Sequence, residues 1–343
     1  MFDHIADALA QPHLIRLRPG LYTLRFESMK VISALGAVER LMADGVIHPG
    51  DTLVDSSSGV YAHALALACQ KYGFHCHIIA SPIVDAALRA QLQVLGATVD
   101  QPDATDDAKL DQGGRVRKVL EYVERNPGAH WMRQYHDQIH YHGYEDAAKS
   151  MMKQLDVPEL VLVGGVGSGA STGGLATALR RHGVDARLLG IQPFGSVSFA
   201  SQDVEDPEFL IAGLGSGIHF GNIDYDAYDD IHWIDFTYAR SGSIELLREH
   251  GVFAGLSSGA AYAVATWQAS GHGFDDRHPV VFVTPDTGHR YVHTVFENPD
   301  SAVVRDTDHY PLVVTEPVEL RLPWCRTDWK RHGVNFPQPK SEF

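Results

Sequence analysis

Short runs of apolar residues alternate with longer amphipathic stretches in the first third of the chain. The runs 51–55, 76–80 and 97–100 have the length of buried strands, and helical patterns at 62–73 and 84–96 separate them. Strands that are joined by helices run parallel in a sheet. The pattern therefore predicts a parallel sheet with helices on both of its faces.

The same alternation resumes after about residue 144 and predicts a second lobe. Its predicted elements are a helix at 144–155, a strand at 159–164, a helix at 172–183, a strand at 186–193, a helix at 243–251 and a strand at 280–285. We therefore predict an α/β protein of two three-layer α/β/α lobes with mainly parallel sheets. Residues 1–45 and 146–343 form the predicted larger domain, and residues 46–145 form the smaller one.

Two segments lack this alternation. From Pro193 to Asp235 the chain is rich in Gly, Asp and Phe but keeps large apolar residues, so we interpret this segment as an ordered loop. After Tyr310 the chain carries five prolines and mixed charge. This composition favours a packed arm or a partly ordered extension.

Composition and charge narrow the class of protein. A chain of 343 residues, 44% of them hydrophobic, can bury sizeable cores, and its formal net charge of −15 opposes binding to nucleic acid or to an anionic membrane. Residues 1–11 carry no basic segment before an apolar run, and no stretch is long enough to span a membrane. Three cysteines without CxxC spacing argue against a disulfide framework and a zinc site. We expect a cytoplasmic protein that acts on small molecules.

A glycine-rich loop follows the predicted strand 159–164. Residues 165–174 read Gly-Val-Gly-Ser-Gly-Ala-Ser-Thr-Gly-Gly, so backbone N–H groups can approach a ligand and hydroxyls add donors. At the carboxyl end of a strand and the start of a helix, such a loop is suited to a phosphate. Because it lacks the Gly-Lys-Ser/Thr ending of a P-loop and the dinucleotide fingerprint, ATP and NAD are weaker interpretations. Taken alone, the loop could also be purely structural.

Two more loops have similar composition. Residues 55–62 read Asp-Ser-Ser-Ser-Gly-Val-Tyr-Ala, and their hydroxyls could hold a carboxylate or simply cap a helix. Residues 255–261 read Gly-Leu-Ser-Ser-Gly-Ala-Ala, and Ser28-Met29-Lys30 lies far upstream. The combination of these segments is typical of a pyridoxal phosphate site.

These motifs resemble the cysteine synthase and cystathionine β-synthase family, the fold type II pyridoxal phosphate enzymes that include the tryptophan synthase β chain. The resemblance covers roughly residues 12–300. It implies that Lys30 is the Schiff-base lysine and the catalytic residue, and that Thr287 lies opposite the pyridine nitrogen. The cofactor-binding residues that it implies are Lys30, Val60, Gly167, Ser168, Gly169, Ala170, Ser171, Ser258 and Thr287.

The resemblance also implies where an amino acid substrate binds. The segment that begins at Ser57 falls where the family has Thr-Ser-Gly-Asn-Thr, whose backbone holds the substrate α-carboxylate. The substrate-binding residues that it implies are Ser57, Ser58, Gly59, Tyr61 and Gln134. By the same resemblance, the larger domain binds the cofactor, the smaller one is a mobile substrate-binding domain, and the protein is a homodimer.

The residue types suit these roles. Burial lowers the pKa of a lysine and leaves it partly neutral, as a lysine that binds an aldehyde and moves a proton must be. A hydroxyl at the pyridine nitrogen, as at Thr287, leaves the ring unprotonated and favours β-elimination. Asp286 is adjacent, and a carboxylate in that place would give the opposite electronics.

Three positions depart from the family pattern. Lys30 is followed by Val31-Ile32 where the family has Asp-Arg, Ala170 replaces a glycine, and Val60 replaces an asparagine that donates a hydrogen bond to the cofactor's phenolic oxygen. Losing such a bond costs about 1.5–3 kcal/mol unless Tyr61 or a water replaces it.

The reaction that the resemblance implies is β-replacement. An O-activated L-serine would lose its leaving group through an aminoacrylate intermediate, and a nucleophile would add to give a β-substituted alanine such as cysteine or a 2,3-diaminopropionate-type product. The candidate donors are O-acetyl-L-serine, O-phospho-L-serine and serine. Residues 131–145 resemble more closely the branch that makes an aminocarboxyethyl-glutamate from phosphoserine and glutamate. The alternatives are a serine- or threonine-type ammonia lyase and a catalytically silent regulatory paralogue.

No metal site is predicted. His136, His140 and His142 lack HExxH spacing, and we interpret them as structural or substrate-contacting residues. The acidic run 224–230 lacks the glycine that a calcium loop needs, so we interpret it as a solvated loop.

Overall fold

A computed structural model describes residues 1–57, 59–81, 86–101, 108–207, 213–271, 273–303, 305–306 and 308–338. Its helices are α1 (Ile5–Leu9), α2 (Lys30–Ala43), α3 (Val60–Tyr72), α4 (Ala86–Val94), α5 (Ala108–Arg125), α6 (Tyr144–Leu155), α7 (Ala170–Arg181), α8 (Phe236–His250), α9 (Leu256–Ala269) and α10 (Trp329–His332). Its strands are β1 (His13–Arg18), β2 (Leu21–Arg25), β3 (Thr52–Ser56), β4 (His75–Ile79), β5 (Thr98–Asp100), β6 (Ala129–Trp131), β7 (Glu159–Gly165), β8 (Asp185–Gln192), β9 (Asp230–Ile234), β10 (Val280–Thr284), β11 (Leu312–Val313) and β12 (Trp324–Asp328). None of the helices in these ranges is long and apolar enough to cross a bilayer.

The strands form two sheets. The larger has the order β1-β2-β10-β7-β8-β9-β12-β11, and its central strands from β2 to β9 are parallel. The smaller has the order β5-β4-β3-β6 and is parallel throughout. The predicted α/β class with mainly parallel sheets is therefore confirmed.

The apolar residues of the predicted strands and helices form the hydrophobic cores around the two sheets. Hydrophobic clusters cover both faces of the larger sheet, with α6 and α7 on one side and α8 and α9 on the other. This double cover explains why the central strands are apolar without alternation. The smaller sheet packs against α3 and also against α2, which contributes Val31, Ala34 and Val38 to the same cluster. The domain boundaries at 45/46 and 145/146 stay a prediction.

Local signals set several helix ends. Gly73 ends α3 with φ +77°, a left-handed conformation that glycine adopts without steric cost, and its N–H donates to the carbonyl of Cys69. Asp235 caps α8, because its carboxylate accepts the N–H of Tyr238 at 2.8 Å. That cap starts α8 seven residues before the predicted start at 243.

The segment 193–235 is not loop throughout. Its end forms β9, which pairs with β8 and with β12, so the loop prediction was wrong for residues 230–234. Every residue of β9 is buried, and the strand therefore lacks the apolar-polar alternation that identifies a strand with one exposed face. The tail after Tyr310 packs on the sheet through β11 and β12, in agreement with the predicted arm.

Candidate active site

Lys30 stands at the first position of α2, where the chain is fixed to the end of β10. The N–H of Phe26 donates to the carbonyl of Thr284, and the N–H of Met29 donates to the carbonyl of Pro285. The ammonium nitrogen of Lys30 donates to the hydroxyl of Ser168 at 3.1 Å. Burial lowers the pKa of Lys30 to about 8, with the Asp55 carboxylate acting in the opposite direction. An amine with this pKa is partly neutral near physiological pH.

The glycine loop at the end of β7 leaves no room for side chains. A Cβ on Gly167 would lie 2.5 Å from the carbonyl oxygen of Gly213, and one on Gly165 would lie 2.0 Å from Leu214 Cδ2. Gly169 has φ +79° and precedes α7 without a side-chain cap. The first N–H groups of α7 therefore meet no capping side chain and point, with the positive end of the helix dipole, toward the loop. This is the geometry of an anion cradle.

The predicted cradle residues lie together at this helix start. Gly167, Ser168 and Gly169 form the turn, and Ala170 and Ser171 are the first buried residues of α7. The N–H of Gly215 donates to the carbonyl of Val166 at 2.9 Å, so the 213–217 loop supports the turn from behind.

The predicted carboxylate loop begins at the end of β3. Ser57 is buried, and its hydroxyl oxygen accepts the N–H of Ala62 at 3.1 Å and that of Gly59 at 3.4 Å. Gly59 and Val60 are half-buried at the start of α3. Ser58 lies outside the described residues.

Tyr61 is turned into the smaller lobe. Its side chain is 2% exposed, belongs to the cluster around the smaller sheet, and meets the His140 ring edge to face at 5.5 Å. Its predicted contact with substrate stays a prediction. His140 is itself buried between the carbonyls of Met132 and Ser33, and burial lowers its pKa to about 4.

Gln134 connects the two lobes. Its side-chain amide donates to the carbonyl of Ser56 at 2.6 Å, and its own carbonyl accepts from the side chain of Asn222 at 2.7 Å. Asn222 follows the 213–217 loop, and its backbone lies beside Gly169. The predicted carboxylate site and the anion cradle are therefore joined through Gln134 and Asn222.

The segments that carry Lys30, Ser258 and Thr287 also carry buried polar atoms. Within the described ranges, Ser28 Oγ, Ser258 Oγ and Asp286 Oδ1 make no hydrogen bond that meets normal geometry. Asp286 Oδ2 accepts from the Tyr291 hydroxyl at 2.9 Å, and burial raises the pKa of Asp286 to about 6. Thr287 is half-buried, with its hydroxyl 3.0 Å from His289 Nδ1.

The sequence predicted no role for two residues of this network, Asp55 and Asn222. Asp55 is a buried acid that directly follows Leu53 and Val54 in β3, and an acid in this place was a usable signal. Asn222 lies in a segment without periodicity, where no local signal marks it.

Comparison with known proteins identifies the family. The family model described as pyridoxal-phosphate dependent enzyme matches residues 21–286. The chain is 30% identical over 302 residues to the N-(2-amino-2-carboxyethyl)-L-glutamate synthase of Ralstonia nicotianae, covering 83% of this chain and 86% of that protein. The enzyme of that name from Cupriavidus metallidurans is 32% identical over 282 residues, covering 79% of each chain.

More distant proteins agree. The cysteine synthase of Staphylococcus aureus is 27% identical over 278 residues, covering 78% of this chain and 84% of that protein. The crystal structure of O-ureido-L-serine synthase has a similar fold, with a TM-score of 0.74 at 23% identity, covering 90% of this chain and 98% of that chain. The resemblance to cysteine synthases is thereby confirmed. The chain belongs to the family of pyridoxal phosphate-dependent enzymes.

Proposed function

We propose that this enzyme catalyses β-replacement on O-phospho-L-serine, with an amino acid amine as the nucleophile and a 2,3-diaminopropionate-type product. β-Replacement on an O-activated serine is the reaction of the cysteine synthase-like relatives. The choice of an amino acid amine is supported by the identity of 30% and 32% to two N-(2-amino-2-carboxyethyl)-L-glutamate synthases. The choice of phosphoserine is supported by the resemblance of residues 131–145 to the branch that uses this donor. The observation that carries the reaction type is the hydrogen bond of 3.1 Å from the Lys30 amine to the hydroxyl of Ser168 in the proposed anion cradle.

The residues around Lys30 fit pyridoxal phosphate. The turn at Gly167 and Gly169 exposes backbone to a phosphate and is followed by the uncapped start of α7. Ser258 Oγ is buried without a well-formed hydrogen bond in the described structure, as expected of a group that awaits a ligand. When bound, this cofactor supplies an electron sink that stabilises negative charge at the substrate Cα.

The proposed role of Lys30 follows from its pKa. A partly neutral Lys30 Nζ would hold the cofactor through its aldehyde, and the free neutral Nζ would be the base that takes the proton from the substrate Cα. Ser168 accepts a hydrogen bond from the same nitrogen and so orients it toward the cradle. Burial, which lowers the pKa of Lys30 to about 8, makes this proton transfer easier near neutral pH.

The other proposed roles follow from the family resemblance and, for the residues that the structure describes, also from position. Ser57, Ser58, Gly59 and Gln134 hold the substrate α-carboxylate, and residues 167–171 hold the phosphate. Thr287 is proposed to face the pyridine nitrogen on family resemblance alone. Asp286 Oδ2 accepts from the Tyr291 hydroxyl, but the buried Asp286 Oδ1 has no hydrogen bond of normal geometry among the described residues. Val60 carries no donor, so the phenolic oxygen receives no side-chain hydrogen bond from that position.

We further propose a cytoplasmic homodimer. The cysteines Cys69, Cys76 and Cys325 are free and buried, which suits a reducing compartment. The dimer is supported by family resemblance alone, and light scattering of the purified protein tests it.

The reaction is tested by combining donors and nucleophiles. The purified enzyme is incubated with O-phospho-L-serine, O-acetyl-L-serine or L-serine, each with L-glutamate, with sulfide or with no second substrate. We expect phosphate release that depends on glutamate, and a product with the mass of an aminocarboxyethyl-glutamate. Cysteine formation as the faster reaction would replace the proposal with cysteine synthesis. Keto acid release without a nucleophile would make the enzyme a lyase, and no turnover of any donor would favour a silent paralogue.

A further inference from the structure

A buried carboxylate lies next to the proposed substrate loop. Asp55 is the fourth residue of β3, is 1% exposed, and directly precedes the Ser56-Ser57 loop. We infer that Asp55 is a positioning residue for amino acid binding, because it holds Gln134 and the Ser57 loop in one fixed arrangement. This inference rests on the proposed function for the identity of the ligand.

Three donors converge on this carboxylate. Oδ1 accepts the N–H of Ser56 at 2.8 Å and the indole N–H of Trp131 at 3.1 Å, and Oδ2 accepts the N–H of Gln134 at 2.9 Å. A carboxylate can accept all three bonds, since both of its oxygens carry lone pairs and no proton. Both oxygens are therefore used within the protein, and Asp55 acts through the residues it holds.

These bonds form a closed ring around the loop. Asp55 accepts from the N–H groups of Ser56 and Gln134, while the Gln134 side chain donates back to the Ser56 carbonyl at 2.6 Å. The peptide groups on both sides of Ser56 are thereby fixed to the 131–134 segment. A ligand carboxylate that binds at Ser57 and Gln134 finds its donors already arranged, which lowers the entropic cost of binding.

The ring also reaches the cofactor side. Asn222 donates to the Gln134 carbonyl at 2.7 Å, and its own N–H donates to the Tyr135 carbonyl at 3.0 Å. Tyr135 stacks on Phe220 with ring centres 4.2 Å apart. A displacement of Gln134 would therefore also displace Asn222, whose backbone lies beside Gly169.

The charged and titratable groups around Asp55 come from three helices. Arg115 of α5 is buried beside Ser56, Lys30 is the first residue of α2, and Tyr61 is the second residue of α3. Burial raises the pKa of Asp55 to about 6, while its hydrogen bonds and Arg115 oppose that rise. Below this pH one oxygen carries a proton and accepts poorly, so we expect the ring to loosen as pH falls through about 6.

The test compares the holoenzyme with Asp55→Asn and Trp131→Phe. The matched control is Asp100→Asn, which changes an exposed acid at the end of β5 that bonds His77. Three quantities are measured for each: cofactor content, the Kd of L-serine from the change in cofactor absorbance, and KM and kcat for O-phospho-L-serine. The Kd is also measured from about pH 5 to pH 8, a range that spans the pKa of Asp55.

We expect Asp55→Asn to keep its cofactor and to raise Kd and KM about tenfold, with kcat changed less than about threefold. Trp131→Phe removes one donor and should raise Kd about twofold to threefold. Binding of L-serine weakens in every variant as the amine of L-serine is protonated, but the additional weakening below about pH 6 should be absent from Asp55→Asn, and Asp100→Asn should match the unchanged enzyme.

Unchanged Kd and KM in Asp55→Asn would overturn the inference. The inference would also be overturned if Asp55→Asn lost cofactor and stability while the holoenzyme that remained bound L-serine with a normal Kd. If Asp55→Asn does not fold, the test rests on Trp131→Phe. A normal Kd of L-serine with a normal pH profile in Trp131→Phe would then contradict a positioning role for Asp55. Failure of every donor to react with the unchanged enzyme refutes the proposed function instead. The Kd of L-serine still reports on Asp55 in that case.

Discussion

The ammonium nitrogen of Lys30 lies 3.1 Å from the hydroxyl oxygen of Ser168 and donates a hydrogen bond to it. The two residues are 138 positions apart in sequence, one at the start of α2 and the other in the turn before α7. The fold thus places the proposed reactive amine next to the proposed phosphate cradle.

Replacing Lys30 with alanine should remove the visible absorption band of the covalently bound cofactor and lower turnover by at least about 10³-fold. The far-UV circular dichroism spectrum should stay unchanged, because the side chain is half-buried and makes one hydrogen bond. Lys153→Ala, at an exposed lysine in the last turn of α6, is the control and should keep band and turnover. An intact band in Lys30→Ala would mean that another lysine binds the cofactor.

The rate at which apoenzyme captures pyridoxal phosphate should depend on pH. The pKa of Lys30 is lowered to about 8, and only the neutral amine attacks an aldehyde. The rate should therefore rise about tenfold per pH unit below pH 8 and level off above it. Stopped-flow absorbance of the apoenzyme, after removal of the cofactor, measures this profile. A flat profile from about pH 6.5 to pH 9 would contradict the lowered pKa.

Gly167→Ala should weaken cofactor binding. The added Cβ would lie 2.5 Å from the Gly213 carbonyl oxygen, and moving this backbone costs about 1–3 kcal/mol, or roughly fivefold to 150-fold in Kd. Equilibrium dialysis of the apoenzyme gives the value. Gly128→Ala is the matched control, since no atom lies within 4 Å of its added Cβ. Equal affinities in the two variants would exclude the turn at Gly167 from the phosphate site.

Val60→Asn should restore a donor to the cofactor's phenolic oxygen. The new bond to a charged acceptor would be worth about 1.5–3 kcal/mol and should shift the absorption maximum of the holoenzyme. Val60→Ile keeps the position apolar and should leave the spectrum unaltered. If the asparagine variant also leaves it unaltered, residue 60 does not face the phenolic oxygen.

Much of the fold could be predicted from short-range patterns. The strand at 159–164 and the helix at 144–155 were identified because apolar runs and helical periodicity are encoded within a few residues. The loops at strand ends were found for the same reason, since glycine and serine clusters are local. β9 was missed because burial on both faces removes its alternation.

The contacts within the site could not be predicted in the same way. Trp131 and Gln134 reach Asp55 from 76 and 79 residues further along the chain, and no local pattern records which acid they will meet. The family resemblance implies that Tyr61 contacts the substrate, and this contact stays a prediction. The packing of the Tyr61 ring in the core around the smaller sheet was not predicted.

The helix α2, which begins at Lys30, packs against the segment before α6 through direct backbone contacts at two glycines. A Cβ on Gly36 would lie 2.4 Å from Gly143 Cα, and one on Gly143 would lie 2.0 Å from the Ile32 carbonyl oxygen. We therefore expect that laboratory evolution for new substrate preferences will recover almost no substitutions at Gly36 and Gly143. A side chain added at either position would push α2 away from the segment before α6. This shift would move the Lys30 amine at the start of α2 away from the proposed phosphate cradle.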